Sequence, residues 1–79
     1  MPRYFFHQVT KAGLVSDLEG TDLPDLEHAR CEALLDARSL MSHAILQGRD
    51  ISSRTIQIRD EGGNLLLTVP FVDTVTRED

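Results

Sequence analysis

The spacing of apolar and polar positions changes character several times along the chain. From Tyr4 to Val9 the run YFFHQV is aromatic and β-branched, with no Gly or Pro inside it. Such a run suits a half-buried pleated surface and predicts a first strand. Lys11-Ala12-Gly13 is a turn signal, and Leu14 to Asp17 is expected to return as a short second strand before the polar run Glu19-Gly20-Thr21-Asp22. Between Leu26 and Gln47 the period becomes helical. Leu26, Ala29, Ala33, Leu34, Ala37, Leu40, Met41 and Ala44 recur at steps of three and four, which is one buried stripe. Asp25 is placed to cap the first free amides, Glu27 sits where the helix dipole favours an acid, and Gly48 suits a left-handed stop. At ~1.5 Å per residue this helix spans about 33 Å, against about 20 Å for a six-residue strand. One end is therefore expected to overhang the sheet, where it needs another partner or frays.

Arg54 to Asp60, RTIQIRD, alternates Ile56 and Ile58 with Gln57 and Arg59, as a strand with one wet face does. Glu61-Gly62-Gly63-Asn64 supplies turn residues, and Leu65 to Phe71, LLLTVPF, returns as the hairpin partner, with Pro70 at a strand end or edge. The order β-β-α-β-β with tight connections inside each pair predicts an α+β fold. Its antiparallel sheet of about four strands carries one long helix on one face. The compact domain is expected over residues 1–72, with residues 73–79 as a flexible tail.

Alternation assigns Leu65, Leu67, Val69 and Phe71 to the helix side and Leu66 and Thr68 to the other; Tyr4 and Phe6 likewise part from Phe5, His7 and Val9. Both sides of the sheet then carry apolar groups, and one helix covers one side. A domain this small is marginal alone. A homodimer is expected, through the uncovered sheet face (Phe5, His7, Val9, Leu66, Thr68) or the back of the helix (Cys31, Leu35, Leu46).

Composition narrows the picture. Seventy-nine residues hold one core, and 41% hydrophobic with 27% charged content is near the globular average. No apolar run approaches the ~20 residues of a membrane helix. MPRYFFH lacks the pattern of an export signal, and the single Cys31 closes no internal disulfide, so a cytoplasmic location is expected. The net charge of −5 is spread over the chain with no basic segment. That argues against nucleic-acid and membrane-surface partners, which call for clustered Lys and Arg. Arg49, Arg54 and Arg59 are interleaved with Asp50, Asp60 and Glu61 and read as a solvated face.

No constellation of reactive groups stands out. His28 and His43 are fifteen residues apart on one helix and cannot share an ion, and His7 beside Asp17 and Glu19 reads as structural. Asp17, Glu19 and Asp22 lack the spacing of a calcium loop. Cys31 has Glu27 and Glu32 near it, which disfavours a thiolate, and Ser39, Ser42, Ser52 and Ser53 lack a base-and-orienter pattern. The glycines of Glu61-Gly62-Gly63-Asn64 precede a strand rather than a helix, so they form a turn and not a phosphate cradle. Catalytic, cofactor-binding and metal residues are therefore none, no cofactor is implied, and the chain is expected not to be an enzyme. The strongest enzymatic alternative is a tautomerase-like use of Pro2 as an N-terminal amine base, which would need Arg3 and His7 to share a pocket with it.

MPRYFFH, DLEGTDLPDLEHARCEA and RDEGGNLLLTVPF together resemble a family of small alphaproteobacterial proteins, common in rhizobia, known only as a domain of unknown function. The likeness covers nearly the whole chain. It implies a compact stand-alone domain and carries over no activity, cofactor or catalytic residue. A second, looser likeness joins the aromatic strand, the L-P-D-L segment and the alanine-rich helix to small antitoxins that pair with basic RNA-cleaving toxins. The leading expectation is a non-enzymatic, homodimeric protein-interaction module, with the antitoxin-like partner as the alternative.

Overall fold

A computed structural model of the chain describes residues 1–76 and 78. Its elements are β1 (Arg3–Thr10), β2 (Gly13–Val15), β3 (Thr21–Asp22), α1 (Leu26–Leu46), β4 (Thr55–Arg59), β5 (Leu65–Pro70) and a 3-10 turn, η1 (Phe71–Thr74). The sheet is antiparallel in the order β2-β1-β4-β5, and the two-residue β3 pairs with the start of β1. The fold is α+β, with five strands where four were expected. β3 escapes the pattern because Thr21 and Asp22 are polar and are held by their register with Tyr4 and Arg3 rather than by burial.

The inner face of the sheet is built from Tyr4 and Phe6 of β1, Ile56 and Ile58 of β4, and Leu67 and Val69 of β5. Against it lie Ala29, Ala33, Ala37 and Ala44, with Leu40 and Met41 packed alongside. A stripe of methyl groups lets the helix axis come close to the strands, and the large side chains of the sheet fill the space. The buried stripe begins at Ala29; Leu26, one turn earlier and assigned to it by periodicity, remains exposed. The ends of α1 follow the sequence. Asp25 Oδ1 accepts the His28 amide at 2.9 Å, and Gly48 takes φ +76° just past the last turn.

Four local expectations change. The second strand is Gly13–Val15 rather than Leu14 to Asp17, because Asp17 turns its carboxylate onto the Phe6 amide (3.1 Å) instead of continuing the ladder. Leu65 does not face the helix. The register shifts between Ile58 and Arg59, so Leu67 pairs with Ile58 and Leu65 with Arg59, and Leu66 has no partner of its own. Phe71 leaves the strand and opens η1, where it is fully buried. The loose tail expected from Asp73 is ordered at its start: Asp73 and Thr74 complete η1, and the buried Thr74 hydroxyl donates to the Phe71 carbonyl at 2.7 Å. Positions 77 and 79 of that expected tail lie outside the described residues.

Candidate functional site

Three surfaces compete for a functional role. The first is the sheet face away from the helix. There β1 contributes Phe5, His7 and Val9, paired with Arg59, Gln57 and Thr55 of β4, and Gln57 is paired in turn with Thr68 of β5. Polar groups hold its centre. Arg59 donates from Nη2 to Gln57 Oε1 at 3.0 Å and from Nη1 to the Gly63 carbonyl at 2.8 Å. The rings of Phe5 and His7 stack with centroids 6.5 Å apart. Phe5, His7 and Val9 are half-buried within the chain itself, while Leu66 and Thr68 are exposed.

The loop from Asp17 to Gly20 supplies part of that cover. The Asp17 amide donates to His7 Nδ1 at 2.9 Å. Its carboxylate accepts the amides of Phe6, Glu19 and Gly20, each at 3.1 Å. Burial works against the charge on Asp17, but those amides outweigh it and hold the carboxyl below the ordinary range. Gly20, at φ +73°, packs so closely that a Cβ would stand 2.8 Å from Arg3 Cγ and from Phe5 Cε2.

The second surface is the outer side of α1. Cys31, Leu35 and Leu46 share one azimuth within about 60°, and all three are exposed, Leu35 at 58% and Leu46 at 83%. His28, Ser39 and Ser42 lie on the same stripe, about 80° wide, which carries no Asp, Glu, Lys or Arg over about five turns, with Arg38 and Glu32 about 20° beyond its edges. The charges of the helix flank it instead. Arg30 reaches Glu27 at 2.7 Å. His28 Nδ1 meets Asp25 Oδ1 at 2.7 Å, and the hydrogen bonds from the His28 side chain and amide hold the Asp25 carboxyl low.

The third surface is a cleft of about 410 Å3 at the C-terminal half of α1. Met41, Ile45, Ile51 and Val75 form its apolar wall, and Arg38, Ser42, Arg49 and Asp50 supply its polar groups. Arg38 Nε donates to the Thr74 carbonyl at 2.6 Å, which fixes η1 and Val75 against the helix. This cleft was not anticipated from the sequence. Arg49 reads there as one charge in a mixed run, and Val75 as part of a polar tail. The helix overhang was the one signal that another segment had to pack nearby, and η1 does so.

A smaller recess of about 220 Å3 lies where Phe6, Gln8 and Ile56 meet Asp36, Ser39 and Leu40. Burial, then Glu32 and Asp17, pushes the Asp36 carboxyl up. Among the described residues no group of three or more His, Cys, Asp or Glu is placed to hold a metal ion, and no helix is long and apolar enough to cross a membrane. The groups that a Pro2-based proton transfer requires have other commitments. Arg3 Nε binds Asp22 at 2.9 Å and its Nη1 donates to the Glu19 carbonyl at 3.1 Å, while His7 Nδ1 is taken by the Asp17 amide.

Comparison with curated proteins and with solved structures gives no match to the chain. Comparison with protein families does: residues 3–72, from the start of β1 into η1, match one profile. The chain belongs to the family described as a domain of unknown function, DUF6894.

Proposed function

We propose that the chain is a non-enzymatic interaction module that self-associates as a homodimer through the outer side of α1. One observation carries this reading: on a helix bearing Glu27, Arg30, Glu32, Asp36 and Arg38, the stripe with the most exposed leucines is free of formal charge. A two-fold interface sets a patch against itself, so any charge it holds meets its own kind. The uncharged stripe of Cys31, Leu35 and Leu46 avoids that repulsion, in a chain of net charge −5. The outer sheet face suits self-pairing less well, with Arg59 at the hairpin end of β4 and Arg3 at its rim.

Sedimentation velocity from about 1 to 100 μM tests the reading, the range in which a modest interface assembles. A dimer dispersed by Leu35→Glu and Leu46→Glu, with the helical circular-dichroism signal unchanged, is the expected result. A monomer throughout, or a dimer indifferent to both substitutions, overturns it. Co-purification with a small basic protein that displaces the dimer favours the antitoxin-like alternative instead.

A further inference from the structure

We infer that the cleft at the C-terminal half of α1 is a binding site for an amphipathic carboxylate: one hydrocarbon chain or ring bearing a single carboxylate. The cleft adjoins the self-association stripe and shares Ser42 with it, but the inference does not depend on that reading.

Size and lining set the apolar part. A volume of about 410 Å3 falls within the roughly 300–1,000 Å3 of sites that enclose small ligands. Met41, Ile45, Ile51 and Val75 line it, and two of these are left well open to water, Ile45 at 63% and Val75 at 55% exposed. An apolar wall of this kind gains from any hydrocarbon that displaces its water.

Charge sets the polar part. Among the described residues Arg3 and Arg30 each have a carboxylate partner, at 2.9 and 2.7 Å. Arg38 and Arg49, both on the cleft, have none within 4.0 Å. Each has one hydrogen bond to a neutral oxygen. Arg38 Nε donates to the Thr74 carbonyl at 2.6 Å and Arg49 Nη2 to Gln47 Oε1 at 2.7 Å. Their other N–H groups have no protein acceptor among the described residues, and a guanidinium is built to meet a carboxylate with such donors. Asp50 is the one acid on the lining; its Oδ1 accepts the Ser52 amide at 2.9 Å, and neither arginine comes within ion-pair distance of it. Lys11, Arg54 and Arg59 likewise have no carboxylate within 4.0 Å among the described residues; what distinguishes this cleft is that its two such cations stand beside a wall of four apolar side chains, which suits an anion carrying a hydrocarbon.

Shape favours a small molecule over a peptide. No strand contributes to the lining, so a bound peptide would find no main-chain ladder.

The test is an amide NMR titration of the full chain with decanoate below its micelle-forming concentration, and with 1-decanol as the uncharged chain of equal length. Saturable shifts confined to Met41, Ser42, Ile45, Ile51 and Val75 are expected, with decanol binding roughly tenfold more weakly. Arg49→Gln is expected to remove that preference and leave decanol binding unchanged, and Arg49→Lys to restore part of it. Arg38 is the poorer choice for substitution, because it also anchors η1. Equal binding of decanoate and decanol, an Arg49→Gln variant that keeps the preference, shifts centred elsewhere, or tighter capture of a short acidic-apolar peptide each overturns the inference.

Discussion

Asp17 joins two segments that stand ten and eleven residues apart in the chain. One carboxylate closes three amides and its own amide reaches His7, so the turn after β2 is tied to β1 at two successive positions. Asp17→Ala leaves the half-buried Phe6 amide without its acceptor. It is expected to lower stability by about 1–2 kcal/mol in urea denaturation at pH 7. Because the folded-state pKa is lowered, the contribution of Asp17 is full above the ordinary carboxylate range. It is lost as pH falls through the folded value, and the wild type and variant converge in acid. Asp36 behaves in the opposite sense. Burial first, then Glu32 and Asp17, raises its pKa, so ionisation costs stability at neutral pH and protonation relieves that cost. Asp36→Asn is expected to raise the melting temperature by roughly 1–3 °C at pH 7, a modest gain because the group is partly solvated. The gain disappears as the pH is lowered through the carboxylate range, and a melting series from pH 7 to 3 checks the sign.

Among the elements, the ones with a long regular period were readable from sequence and the ones made by local exceptions were not. Twenty-one residues of α1 follow a 3.6-residue repeat with a cap at each end, and Ile56 and Ile58 fall on the buried face as alternation requires. Leu65 was misassigned because alternation assumes an unbroken register, and the shift beside Arg59 inserts one residue. Thr74 was unreadable because its burial depends on a hydroxyl satisfied within its own 3-10 turn. Gly20 shows what holds β3 to β1. At φ +73°, and with Arg3 Cγ and Phe5 Cε2 2.8 Å from where a Cβ would stand, the position suits neither the backbone preference nor the methyl group of alanine. Gly20→Ala is expected to cost about 1–3 kcal/mol. Thermal melting gives the magnitude, and a shift of the Phe5 and His7 ring resonances locates the damage.

At the scale of the molecule, candidate sites divide by how far apart their residues stand in the chain. Cys31, Leu35 and Leu46 were visible because a helical projection alone places them together. The carboxylate cleft needs residues from 38–45, 49–51 and 75 to converge, and only the docking of η1 on α1 brings the last of these in. Its two arginines lie close to the uncharged stripe, which shares Ser42 with the cleft. Self-association through that stripe is therefore expected to alter decanoate affinity, and titrating the Leu35→Glu variant beside the wild type measures the coupling.

The margins of the sheet limit what kind of assembly the chain can enter. Along one side β1 is met by a three-residue strand and a two-residue strand, with the Asp17 carboxylate plugging the gap between them. Along the other, the LLLTV run of β5 is bent out of register near its start and closed by Pro70 at its end. Neither border offers a long, straight row of free donors and acceptors for a neighbouring chain to extend. A leucine-rich hairpin is thereby shielded from edge-to-edge extension by a neighbouring strand.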